Sequence, residues 1–347
     1  MNDKCNETIL QAVAKALGEG VRFYCYRLPG EKELNFGVQT DGKNKKEGFC
    51  IHPFVEGEVK PTFISKDMTA DEYLGAERCE TTAEEWSGNI QSSISKTDYM
   101  KQADACIAEM KKGNLAKVVL SRTIAGESAD VVWDEVYGKL LENYRNAFVF
   151  VYHTQETGAW MGATPEKLLC SRGGCVSTMA LAGTRIAGTQ GEWGQKEVDE
   201  QRIVTDYICR CFENAEIDYE VSPLYTRNAG NVEHLCNDFS GQTNECEKIA
   251  LLKNELHPTP AIAGVPCKEA VEYIENIEMH SRRCYGGYIG PVHENGDFDM
   301  FVNLRSIEFD KKRYCLYVGG GLTANSDAEK EWQETAEKAK TLQRFLL

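Results

Sequence analysis

Near its C-terminus the chain carries Gly319-Gly320-Gly321, then Ser326-Asp327, then a segment with Glu331, Glu334 and Lys338. On a helix, offsets of three, four and seven put those three side chains on one face, within reach of one small object. Two carboxylates suit a hard divalent cation such as Mg²⁺, which takes oxygen ligands and keeps some of its waters. A lysine one turn further on suits a substrate carboxylate, and the glycine run would let a backbone N–H approach that same anion. Glu and Lys at these spacings also stabilise a plain solvated helix, so the helix alone leaves both readings open.

Three further groups add to the first. Glu197 and Glu200 form a second i,i+3 pair, and two such pairs would make a four-carboxylate cage; a solvated acidic turn is the alternative. Lys117 opens Lys117-Val-Val-Leu-Ser-Arg122, where alternation puts Lys117, Val119 and Ser121 on one face and Val118, Leu120 and Arg122 on the other. A lysine desolvated there could act as a general base, whereas one at a strand end would snorkel to water. Glu166 follows Gly162-Ala-Thr-Pro165, a turn that presents its carboxyl, which burial would suit to general acid work. Pro-Glu also starts many ordinary helices.

The elements that must position these groups read as an α+β pattern. Helices are predicted over 6–17, 97–112, 133–144, 192–214, 245–256, 268–275 and 328–346. Strands are predicted over 21–26, 49–54, 116–124, 147–152, 159–162, 175–180, 285–292, 300–309 and 314–318. Consecutive strands joined as hairpins favour largely antiparallel sheets with helices packed outside. No linker or repeat divides the chain, so one large domain over 1–347 is expected, with 1–96 its less characteristic part and 97–347 its catalytic part.

Composition narrows the function classes. The net charge of −15 argues against nucleic acid, which needs clustered Lys and Arg. It permits a small anionic substrate, since a cleft can oppose the global sign, and a metal ion is one way to do so. The fourteen cysteines form no C-x-x-C pair and no zinc or iron–sulfur spacing. With no signal-peptide pattern at the start and no apolar run of membrane-spanning length, a cytoplasmic protein with reduced thiols is expected.

Taken in order, Lys117-Val-Val-Leu-Ser-Arg122, Gly162-Ala-Thr-Pro-Glu166, Leu181-Ala-Gly-Thr-Arg185, Lys196-Glu-Val-Asp-Glu200, His257-Pro-Thr-Pro-Ala261, Gly319-Gly-Gly-Leu-Thr323 and Glu331-Trp-Gln-Glu-Thr335 resemble the chorismate-utilising enzymes. These include isochorismate and salicylate synthases and the large subunits of anthranilate and aminodeoxychorismate synthase. The resemblance covers roughly residues 97–347 and implies the anthranilate-synthase-component-I-like fold. It also implies Glu200 and Glu334 as Mg²⁺ ligands, direct or through water, with Glu197 and Glu331 beside them. Lys338, Gly319, Arg305 and Tyr285 match positions that hold the carboxylates of chorismate, Tyr288 being a neighbouring alternative to Tyr285. Gly183 and Thr184 match the ring pocket, and His234 a histidine near the site of substitution. Lys117 matches the base that activates water, and Glu166 the acid that protonates the departing C4 hydroxyl.

Within the family, the ammonia-using anthranilate branch generally has glutamine where this chain has Lys117. The aminodeoxychorismate branch usually has lysine where this chain has Ala182. Both departures point to water as the nucleophile and to isochorismate synthase, feeding menaquinone or a siderophore, with no obligatory glutamine amidotransferase and a monomer or weak dimer. Salicylate synthase, which also eliminates pyruvate, is the nearest alternative; chain length gives isochorismate synthase a mild preference. An anthranilate or aminodeoxychorismate subunit stands further off, and a non-catalytic chorismate-binding protein is the reading from another class. Isochorismate synthases often read His-Glu-His around the first metal glutamate, where this chain has Asp199-Glu200-Gln201.

Overall fold

A computed structural model describes residues 2–41, 46–77, 90–230 and 232–346. Among these, two large sheets lie face to face, and every strand pairing in them is antiparallel. The first sheet runs Gly264–Val265, Lys117–Glu127, Arg313–Leu322, Ser306–Phe309, Gly158–Thr164, Phe148–Thr154, Phe23–Arg27, Asn35–Val38. The second runs Tyr219–Val221, Val232–Gln242, Cys175–Ile186, Lys167–Arg172, Phe298–Val302, Tyr288–Val292, Gly48–His52, Thr62–Ser65, and Tyr225–Ala229 also pairs with Val232–Gln242. The α+β architecture read from the sequence is therefore the one observed. The N-terminal region is woven into it, giving two strands to each sheet.

Helices cover the outer faces, making four layers. Asn2–Glu19, Ala70–Gly75 and Trp133–Asn143 bury apolar residues against the first sheet. Gln195–Asn214 and Cys246–Leu256 do so against the second. The helix Ala328–Gln343 packs on strand Arg313–Leu322 and on helix Lys96–Lys111. Its N-terminus is fixed by Asp327, whose side chain accepts from the Lys330 N–H, satisfying one of the free donors of the first turn.

Between the sheets lies an aromatic layer. Phe148 of the first stacks on Phe301 of the second at 4.2 Å, and Tyr24 on Phe49 at 5.2 Å. Offset stacking of large rings fills the roughly 10 Å gap between sheets and adds to the gain from burial.

Three predicted strands need correction. Residues 300–309 are not one strand: Phe298–Val302 belongs to the second sheet and Ser306–Phe309 to the first, and the chain crosses at Asn303-Leu304-Arg305. Both halves are buried and no Gly or Pro separates them, so the break left little trace in the sequence; a left-handed Arg305 (φ 49°) makes the corner. The strand expected from Tyr285 begins at Tyr288, and Tyr285 sits in the turn before it. The glycines expected after a strand ending at Val318 lie inside it.

Phe49 is wholly buried in the aromatic layer. Phe49→Ala should cost about 3–5 kcal/mol through the cavity left behind. Urea unfolding would read this as a lower midpoint at unchanged slope; a loss below about 1 kcal/mol would show that the layer does not hold the sheets together.

Candidate active site

A cleft opens where the two sheets meet. It is lined by Lys117, Glu166, Gly183, Thr184, Glu200, His234, Tyr285, Arg305, Gly319, Glu334 and Lys338, with apolar walls from Val119, Leu181, Ile262 and Leu304. Eleven of the thirteen site residues predicted from sequence therefore share one concave surface; Glu197 and Glu331 are the two outside the lining.

Lys117 is at the start of strand Lys117–Glu127, and the predicted alternation holds. Val118 and Leu120 join the apolar core, while Lys117 and Val119 face the cleft. The lysine does not snorkel: its side chain is 1 % exposed and Nζ lies 2.9 Å from Glu200 Oε1. Burial alone would raise the Glu200 pKa, but Lys117, Lys338 and Lys196 outweigh it and hold the carboxylate below its ordinary value. Glycine in strand Arg313–Leu322 leaves room for this pair. A Cβ on Gly321 would lie 2.7 Å from Glu200 Oε1 and 3.1 Å from Lys117 Cε.

Glu166 sits in the short link between strands Gly158–Thr164 and Lys167–Arg172, where the chain passes from one sheet to the other. It is 5 % exposed. Burial pushes its carboxyl up to about 7 even though Lys117, Arg305 and Lys338 pull the other way. The group is therefore poised to be protonated near neutrality, as a general acid requires.

His234 and Arg305 form a second buried unit. Arg305 Nη2 lies 3.2 Å from His234 Nε2, and His234 Nδ1 lies 3.0 Å from the Gly183 carbonyl. A guanidinium only donates, so Nε2 accepts, and Nδ1 carries the proton and donates to Gly183. Burial, then Arg305 and Lys338, drives the imidazole down to about 3, so it is neutral at physiological pH. A β-bulge positions this unit. His234 pairs with Thr184 and Leu235 with Ala182, leaving Gly183 as the extra residue with φ 68°. Such a bulge re-aims the neighbouring side chains, and only glycine enters that backbone region readily.

On the helix Ala328–Gln343, Lys338 Nζ bridges Glu334 Oε1 (2.7 Å) and the Gly319 carbonyl (2.9 Å). Glu331 is 2 % exposed; its Oε1 accepts from Lys196 Nζ at 2.9 Å and Ser326 Oγ at 2.8 Å, while its Oε2 has no partner. Glu197 folds the other way, its Oε2 over Gly194. Among the described residues, no three His, Cys, Asp or Glu side chains converge closely enough to hold a metal ion. In donor type, though not in placement, the set is one that a hard cation takes. Glu200, Glu331 and Glu334 offer carboxylate oxygens, one of them buried and unpartnered, and each already engages a lysine ammonium.

Of the two tyrosines, Tyr285 lines the cleft, its hydroxyl 2.9 Å from where a Cβ on Gly319 would be. Tyr288 lies in the second sheet, stacked on His52 at 4.6 Å. Sequence reasoning missed Tyr317, although Tyr317, Gly319 and Gly321 alternate on one strand face and that period was visible. It also missed Glu278 and Arg282. Glu278 Oε1 accepts from the Ser121 N–H and Oγ, and Arg282 donates to Glu278 and to the Val119 carbonyl, bracing the strand that carries Lys117. No sequence spacing announces that contact, because Ser121 and Glu278 are 157 residues apart.

Among the described residues, no helix is long and apolar enough to cross a membrane. Isochorismate synthase MenF of Bacillus subtilis is 30% identical over 264 residues, covering 72% of this chain and 55% of that protein. Isochorismate synthase DhbC of the same organism is 29% identical over 271 residues, covering 72% and 67%. This chain thus spans little more than half of that MenF. The solved structure of the menaquinone-specific isochorismate synthase MenF of Escherichia coli superposes with a TM-score of 0.79 at 20% identity, over 97% of this chain and 91% of that one. The profile of the chorismate binding enzyme family matches residues 39–347, and the chain belongs to that family.

Proposed function

We propose that the protein is an isochorismate synthase that interconverts chorismate and isochorismate, for menaquinone or siderophore synthesis. The observation that carries this reading is the pairing, in one cleft, of the Lys117 amine with the Glu166 carboxyl held near 7. Family membership and the names of the relatives support it.

In this reading Arg305 and Lys338 orient the substrate carboxylates by charge-assisted hydrogen bonds. To act as base, Lys117 must first give up the extra proton of its ammonium form to solvent and part from Glu200; the free amine then takes a proton from water as the water oxygen adds at C2. The double bonds shift, and Glu166 gives its proton to the C4 hydroxyl, which leaves as water. Neutral His234, fixed by Arg305 and Gly183, offers no competing charge near the ring. Glu200 and Glu334, with Glu331 beside them, would hold Mg²⁺, which would neutralise and orient a substrate carboxylate. The side chain of Glu197 would have to turn back from Gly194 to join them.

Incubation of the protein with chorismate and Mg²⁺, followed by product separation, should give isochorismate. Salicylate with pyruvate as main products, or an ammonia-dependent aromatic amine, would overturn the reading. EDTA should abolish turnover and Mg²⁺ restore it; full activity in EDTA would remove the metal from the proposal.

Lys117→Ala and Glu166→Gln should each lower kcat by about 10²–10⁴-fold, the usual value of a proton transfer, while chorismate still binds by calorimetry. Because the acid must be protonated, kcat/KM should fall as pH rises through about 7. An alkaline limb that persists unchanged in Glu166→Gln would assign it to another group.

A further inference from the structure

A buried charge pair lies between the sheets, behind the cleft wall, and takes no part in the chemistry above. Glu308, on strand Ser306–Phe309, is wholly buried. Its Oε2 accepts the Tyr317 hydroxyl at 2.9 Å, and its Oε1 lies 3.0 Å from Arg283 Nε. Arg283 has a left-handed backbone (φ 49°) and also donates to Glu58 Oε1 at 2.8 Å and to the Thr157 carbonyl at 3.2 Å. Apolar residues of similar volume often serve stability as well or better than a buried ion pair. Stability alone is therefore a weak account of this one.

The neighbours of Glu308 supply a better one. Tyr317 lines the cleft, its ring stacked on Trp160 at 5.2 Å and on Tyr285 at 5.6 Å, 19° from parallel. Tyr285 stands with its hydroxyl over Gly319 and lies in the same turn as Arg283, two residues on. Both members of the stack thus lead back to Glu308. Tyr317 does so through its hydroxyl, and Tyr285 through the backbone of the arginine that Glu308 binds.

We infer that Glu308 is a positioning residue: through the Tyr317 hydroxyl and Arg283 it sets the aromatic wall from which Tyr285 meets the substrate. The inference rests on chorismate as the ligand of the cleft. Without the Tyr317 hydroxyl, Glu308 Oε2 loses its donor in a site that water does not reach, and the carboxylate must turn to Arg283. The wall is then held by ring contacts alone, which permit sliding where a hydrogen bond does not.

Steady-state kinetics and calorimetric chorismate binding on single and double variants test this. Tyr317→Phe should raise KM and Kd about 5- to 10-fold with kcat within about twofold, the pattern of lost binding common to ground and transition states. Glu308→Leu should raise them to a similar extent, and the double variant should go no further, because both changes break one link. Glu308→Gln, whose amide can still bond the tyrosine, should lower the melting temperature yet keep KM within about twofold of wild type. Tyr317→Phe indistinguishable from wild type, or additive single effects, would overturn the inference. Should Glu308→Leu not fold, equal KM values for Glu308→Gln and Tyr317→Phe would overturn it as well. Reading Kd beside KM separates the two proposals: wild-type protein that binds chorismate without turnover fails the isomerase reading and still tests the wall.

Discussion

Lys117 lies on a strand where it is all but sealed from water, and Glu200 is the opposite charge that makes this tolerable. Removing such a charge from solvent costs several kcal/mol, repaid only by an opposite charge in good geometry. Much of the neighbouring design serves that pair. Gly321 clears the space above it, the Ser121–Glu278–Arg282 network braces its strand, and the helix Gln195–Asn214 delivers Glu200 from outside the sheets.

The cleft concentrates positive groups against the sign of the molecule, although Glu166, Glu200 and Glu334 stand among them. A chain of net charge −15 gathers Lys117, Arg305 and Lys338 around one hollow, where a dianionic substrate would meet them in a medium of reduced dielectric. The same burial acts on each group differently. It raises Glu166, whose three cationic neighbours only partly compensate, and it lowers His234, which Arg305 and Lys338 push further down. Two groups that would both be charged on a surface acid to mid-neutral in pH are thereby both brought toward their neutral forms.

Much of this was legible in the sequence because it is written in short-range spacing. Alternation fixed the face of Lys117, and i,i+3 and i,i+7 offsets grouped Glu331, Glu334 and Lys338. Carboxyl orientation was not legible: the Glu197–Glu200 spacing is helical, yet Glu197, in the first turn of its helix, turns back over the N-cap residue Gly194. The crossover at Asn303–Arg305 carries no Gly or Pro to mark it, and without it neither the position of Arg305 nor the separate partners of the two half-strands can be deduced. Tyr285 and Tyr288 are alike in composition and local sequence, and only the turn that precedes the strand tells them apart.

Glu166 and Arg305 share a location of a particular kind: each occupies a link by which the chain steps from one sheet to the other. Lys117 and the Gly319–Gly321 run belong wholly to the first sheet, whereas the Gly183 bulge and His234 belong to the second. The span between Lys117 and Glu166 is therefore a measure of how the sheets are seated on each other. The aromatic layer works as a gauge block in this sense, its ring thickness setting a distance that matters some way off. Variation in that layer would change the spacing of Lys117 and Glu166 while leaving both residues in place.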